Sequence, residues 1–245
     1  MAISNWDSNQ INDLSGKIAV ITGSTSGIGK ETARVLAAKN ATVIMAIRNL
    51  EKGEKVVNEI CEELPNANIT AHKLDLTSLA SVKSFADNFL QNHQQLDLLI
   101  NNAGIMMCPY EITTDGFEIQ MATNHLGHFA LTGHLMPLLK STPDARIVAV
   151  SSIAHGGGNI DFADIHWNHR KYKPTQAYAD SKMANLYFMY ELADKLKDDP
   201  NAPKITAAHP GWTKTELQRH SGLFSFLNNF FAQSIDQGAL PTLRA

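Results

Sequence analysis

Short apolar runs alternate with longer amphipathic stretches along the chain. The runs are 18–22, 42–47, 69–72, 96–100, 146–150 and 204–208. Several are β-branched and apolar on consecutive positions rather than on every second one, the pattern of strands covered on both faces by helices. A parallel sheet is therefore predicted. Helices are predicted between the runs, over roughly 27–39, 51–64, 78–93, 115–140 and 176–198. Lys39-Asn40 and Pro65-Asn66 read as stops, and Asp115 reads as an N-terminal cap with Glu118 three residues on. Strand and helix alternating at this length mean right-handed βαβ units, so the fold class is α/β: a Rossmann-like, doubly wound parallel sheet in three layers. No repeat, low-complexity tract or linker divides the chain, and residues 1–245 read as one domain.

Composition narrows the function. The chain has 245 residues, with 21 Lys and Arg against 24 Asp and Glu, a net charge of −3, and no basic block of the kind a phosphate backbone requires. No nucleic-acid partner is expected. Hydrophobic residues at 44% and charged residues at 18% place the chain among folded globular proteins rather than disordered ones. The two cysteines, Cys61 and Cys108, form neither a disulfide framework nor a CxxC pattern, so a reduced, cytoplasmic setting is expected. The polar start Met1–Gln10 is no signal peptide, and no run approaches the length of a transmembrane anchor. His125-x-x-His128 and His166-x-x-His169 lack a third ligand, so no metal site is expected.

Candidate chemistry begins after the first strand, with Gly23-Ser24-Thr-Ser26-Gly27-Ile28-Gly29 opening a helix. Glycines at a strand-to-helix turn let backbone approach a pyrophosphate, whose charge is met by free N–H groups and the positive end of the helix dipole. A mononucleotide P-loop would need glycine at Ser24 and Ser or Thr at Glu31, so that reading fails. The form TGxxxGIG resembles short-chain dehydrogenases/reductases, and the resemblance implies a nicotinamide cofactor held by Gly23, Ser24, Ser26, Gly27, Ile28 and Gly29. The second strand ends Ala46-Ile47-Arg48. The place of an acidic residue for a free ribose 2′-hydroxyl is taken by Ile47, and Arg48 can pair with a 2′-phosphate. NADP(H) is favoured over NAD(H), the alternative being that Arg48 only opens a solvated loop.

Tyr178 and Lys182 stand four apart on a predicted helix, so phenol and ammonium share a face. The fifth strand ends in Ser151-Ser152, at the strand end where such sheets bind ligands. The family resemblance implies a catalytic set of Asn124, Ser152, Tyr178 and Lys182. Ser152 would hold a carbonyl oxygen and Tyr178 would protonate it. Lys182 would lower the phenol pKa and hold the nicotinamide ribose, and Asn124 would position a relay water. It further implies cofactor contacts at Asp75 and Leu76, at Asn102, Ala103 and Gly104, and at Pro210, Gly211, Thr213 and Thr215, besides Tyr178 and Lys182. These matches span residues 17 to about 217.

Thr114–Glu118, Asn124–Phe129, Ser152–His155 and His209-Pro-Gly resemble the retinol-dehydrogenase-like branch, which implies a lipophilic carbonyl or alcohol substrate. The long spacing from Ser152 to Tyr178 places an inserted loop containing His166–Tyr172 beside the pocket. Residues 213–234, with the apolar run Leu223–Phe231, read as a substrate lid, or alternatively as core packing or a peripheral membrane contact. The resemblance also implies a homo-oligomer paired through the helices of Asn124 and Tyr178. The competing readings are an NADP(H)-binding sensor or scaffold without turnover, and an epimerase or dehydratase of the extended relatives. The family's usual seventh strand is not found after residue 208, so the sixth is expected to be an open edge.

Overall fold

A computed structural model describes residues 6–211 and 234–245. β1 (Ile18–Thr22), β2 (Thr42–Ile47), β3 (Ile69–Lys73), β4 (Leu98–Asn101), β5 (Arg146–Val150) and β6 (Lys204–Ala208) form one sheet in the order 3-2-1-4-5-6, every neighbouring pair parallel. The helices are α1 (Gly27–Ala38), α2 (Leu50–Glu63), α3 (Leu79–Asn92), α4 (Ile119–Met121), α5 (Gly127–Ser141), α6 (Pro174–Leu196) and α7 (Ile235–Arg244).

The strand pattern has its cause in two separate cores. Successive side chains of a strand point to opposite faces. Val20, Ile44, Leu99 and Ile147 enter one core with Phe85 and Phe89 of α3 and Leu131, Leu135 and Leu139 of α5. Ala19, Ile21, Val43, Met45 and Val148 enter the other with Leu36 of α1 and Val56 and Ile60 of α2. Both faces are covered, so neither set of positions tolerates a polar residue, and the runs read as continuously apolar. The three layers expected from the sequence follow.

Two boundaries differ from the expectation. The fourth strand starts at Leu98, because Asp97 is spent on its neighbours: its carboxylate takes the Ile18 N–H and the Lys17 ammonium, at 2.8 and 2.9 Å. The helix predicted from residue 115 starts at Ile119. Asp115 caps a different helix, accepting from Leu79 N of α3 at 2.7 Å, while Glu118 caps its own by accepting from Gln120 N and Met121 N. Between α4 and α5 lies a widened π turn, Ala122–Leu126, closed by a hydrogen bond from Gly127 N to Ala122 O. Among the described residues the sheet has six strands, with β3 and β6 at its edges.

Candidate active site

The sheet reverses direction of winding between β1 and β4, and a doubly wound sheet opens a crevice at that point. Here the crevice is a cleft of about 830 Å³ bounded by the loops that follow the strands. Gly23, Ser26, Gly27, Ile28 and Gly29 line it after β1. Gly23 and Gly27 have φ of +65° and +55°, which glycine adopts without strain. A methyl at Gly23 would lie 2.7 Å from Ala103 Cα, so the turn and the β4 loop meet closely enough to exclude any side chain. Ser26 precedes α1 without a side-chain cap, which leaves the first N–H groups of that helix for a ligand. Ser24 is buried instead, donating to Ile21 O, and Thr25 takes the place at the cleft that the sequence had given to it.

After β2 come Arg48 and Asn49; Asn49 caps α2, and Lys52 also lines the cleft one turn on. The Lys73 ammonium donates to Arg48 O at 2.5 Å and fixes the backbone from which the guanidinium projects. After β3, Asp75 and Leu76 line the wall, and Asp75 Oδ1 accepts from the Thr77 amide and hydroxyl. After β4, Asn102 ties its loop to the glycine turn by donating to Thr22 O and Gly23 O, and Ala103 and Gly104 follow at the cleft. Pro210 and Gly211 line it beyond β6. Thr213, Thr215 and the lid segment 213–234, Ser234 apart, lie outside the described residues.

Of the four catalytic candidates, Ser152, Tyr178 and Lys182 line the same cleft, and Asn124 is buried beside it. Ser151 is buried, donating to Lys182 O at 2.9 Å, whereas Ser152 lines the cleft beside the Tyr178 phenol. Burial, which disfavours phenolate, raises the Tyr178 pKa, and the neighbouring Ser152 hydroxyl offsets it in part. The lowering by Lys182 expected from the sequence is not among these influences: its Nζ stands 5.9 Å from the ring centroid and donates to Val150 O at 3.0 Å. Burial in turn lowers Lys182 to about 8.

Asn124 sits in the π turn with both amide hydrogens committed, to Ile105 O and Ser181 Oγ, while its Oδ1 accepts from Ile105 N. The point that a methyl on Gly104 would occupy is 3.3 Å from Asn124 Oδ1 and 3.4 Å from Lys182 Nζ. Glycine leaves that gap open.

The inserted loop lines the cleft only at its ends, at Ile153, Ala154, Gly157 and Thr175, and not at the expected His166–Tyr172 stretch. Its residues 158–173 are not among those lining the cleft; they brace the cleft from behind. Tyr172 donates to Glu118 and accepts from Gln120, whose Oε1 takes the Met107 N–H, and Asp180 takes the Asn159 N–H. Among the lining residues that sequence reasoning missed are Met106, Met107, Cys108 and Thr123, besides Thr25 and Lys52. Lys52 alone carried a usable signal, a cation one turn beyond a cap already beside Arg48.

A glycine turn at the switch point, next to a buried phenol and ammonium, defines the class: a Rossmann-like α/β protein of the kind that binds a nicotinamide cofactor. Residues 17–223 match the family model described as short chain dehydrogenase. The chain belongs to this family of oxidoreductases, in its retinol-dehydrogenase-like branch. It is 46% identical to human retinol dehydrogenase 12 over 219 residues, 89% of this chain and 68% of that protein. With human retinol dehydrogenase 13 the identity is 43%, over 86% of this chain and 63% of that one. Among solved structures, an uncharacterised protein from Mycobacterium paratuberculosis superposes with a TM-score of 0.81 at 42% identity, covering 97% of this chain and 79% of its own. A protein from Shigella flexneri described as a short chain dehydrogenase complexed with NADP gives 0.69 at 28% identity, over 87% and 84%. No helix among the described residues is long and apolar enough to cross a membrane.

Proposed function

We propose that the protein is an NADP(H)-dependent oxidoreductase that interconverts a lipophilic aldehyde or ketone with its alcohol, using Tyr178 as acid and base. The observation that carries this reading is that Ser152, just past β5, and Tyr178 and Lys182, one turn apart on α6, line the same cleft. The residues present fit the cofactor: the methyl-excluding cradle at Gly23, the uncapped start of α1, and Arg48 with Lys52 where a 2′-phosphate would lie. The NADP in the Shigella flexneri relative and the retinol dehydrogenase relatives agree with the cofactor and with a lipophilic substrate.

When bound, the reduced nicotinamide supplies a hydride to the carbonyl carbon. Ser152 donates a hydrogen bond to the carbonyl oxygen and holds it within reach of the phenol. Tyr178 is kept protonated by its burial, the state an acid needs, and passes its proton to that oxygen as the C–H bond forms. The phenolate left behind regains a proton from solvent, and the Lys182 ammonium stands 5.9 Å from its ring centroid. With its amide hydrogens spent, Asn124 contributes its Oδ1 to the gap beside Gly104, which Lys182 also borders and which suits a relay water.

The test is NADPH oxidation over a panel of aliphatic and polyene aldehydes and ketones. Tyr178→Phe should lower kcat by about 10²–10⁴-fold while leaving the NADPH Kd unchanged. Full activity in that variant would sink the proposed acid, and tight NADPH binding with no carbonyl turned over by the native chain would favour a sensor.

A further inference from the structure

We infer that His128, as its Nδ1–H tautomer, is a positioning residue that couples the turn bearing Asn124 to the cofactor loop Asn102–Gly104 through the hydroxyl of Thr22. The inference rests on the function proposed above, and it starts from a buried group which that mechanism does not use.

His128 lies on α5, one turn beyond Asn124, and is 2% exposed. Its Nδ1 is 3.0 Å from the main-chain oxygen of Asn124, and its Nε2 is 2.8 Å from Thr22 Oγ1. A carbonyl oxygen only accepts, so the proton must be on Nδ1. Burial and the neighbouring Lys182 and His125 hold the imidazole well below its ordinary pKa, at about 3, so Nε2 is bare. The hydrogen of the Thr22 hydroxyl therefore points to Nε2. The other acceptor in reach, Ile100 O, is farther, at 3.4 Å. Thr22 Oγ1 then accepts from the amides of Asn102 and Ala103, both at 2.9 Å.

Every donor and acceptor in this chain is accounted for; one end of it lines the cleft at Asn102 and Ala103, and the other is Asn124, whose Oδ1 borders the gap beside Gly104. One end is the pair of amides that sets the height of Ala103 and Gly104 above the glycine turn. The other is the peptide of Asn124, inside a π turn whose backbone is out of α-helical register. The imidazole gives that peptide a donor from outside the local ladder. The gap shared by Gly104, Asn124 and Lys182 is thus bounded on two sides by groups that the same ring holds. Without the ring, the Asn124 turn and the 102–104 loop would keep the bonds of the Asn124 amide to Ile105 but lose this second link, and a displacement near 1 Å at a reacting centre can cost about 10²-fold in rate.

Two measurements test this. Histidine-selective ¹⁵N NMR of the native chain should show His128 protonated on Nδ1 and bare on Nε2 from about pH 5 to 9, in line with its depressed pKa; a protonated Nε2 overturns the inference, whether or not the chain turns over any carbonyl. In kinetics, His128→Phe and Thr22→Val should each lower kcat by at least about tenfold with the carbonyl KM changed less than about twofold, and the double variant should be no worse than the worse single. Thr22→Ser, which keeps the hydroxyl, should retain the native kcat. An unchanged kcat in His128→Phe overturns the inference, as do losses that multiply in the double variant. If His128→Phe does not fold, the contrast between Thr22→Val and Thr22→Ser decides alone: equal kcat in the two overturns it. Absence of turnover by the native chain would instead count against the proposed function and leave the tautomer as the deciding result.

Discussion

Two residues at opposite ends of the cleft are governed by simple electrostatics. Arg48 is an exposed cation on a backbone pinned by Lys73, with Lys52 one turn on. Arg48→Ala should lower the ratio of NADPH to NADH efficiency by about 10–100-fold, the worth of one charge-assisted phosphate pair, as read from kcat/KM with each cofactor. Lys182 is the opposite case, a buried ammonium lowered from 10.5 to about 8. The unfolded chain binds more protons than the folded one between those two values, so this group makes stability rise with pH from about 8 to 10.5, and the gain is lost as pH falls through 8. Urea unfolding at pH 7.5 and at pH 10 should show the native chain gaining up to about 3 kcal/mol relative to Lys182→Met. Spacing in the sequence made Tyr178 and Lys182 legible. His128 was legible only as half of an unpromising histidine pair, because its partners, Thr22 and the Asn124 carbonyl, lie 106 and 4 residues away on other groups' backbones and side chains.

At the level of elements, five of the six predicted strands begin where the sequence places them, since burial on both faces writes itself as an unbroken apolar run. Helix starts were less legible. Caps are read locally, but Asp115 looks forward along the chain while its carboxylate serves α3, 36 residues back. The π turn left no mark either, because no residue type demands one. Its position is fixed by packing: a methyl on Gly127, the first residue of α5, would come 2.5 Å from Leu76 O and 2.9 Å from Leu76 Cβ. Helix and β3 loop are thus in backbone contact just where Leu76 lines the cleft. Gly127→Ala should destabilise by about 1–3 kcal/mol through that overlap, visible in urea unfolding, and should weaken cofactor binding with it. Stability within about 0.5 kcal/mol of native would mean that the helix shifts freely, contrary to the contact.

Across the whole molecule, every strand delivers its loop to the same rim of the sheet, and a cleft assembled from all of them is completed only when they are held together. A ligand filling it should therefore stabilise the entire fold. NADPH at about a hundred times its Kd is expected to add about 2.7 kcal/mol, or roughly 5–11 °C in Tm at this size, with a smaller rise from NADH at the same concentration. Equal rises would argue against a 2′-phosphate contact. The opposite rim is made differently. There Asp97 ties the starts of β1 and β4 through Ile18 N and Lys17, Arg146 N donates to Asp97 O, and Lys204 pairs with Asp144. None of these residues borders the cleft. The parallel sheet thereby gives the protein a polarity of mutational tolerance. In a complete substitution scan scored separately for abundance and for turnover, damage at the strand starts should appear in both scores together, whereas damage at the strand ends should appear in turnover while abundance stays high.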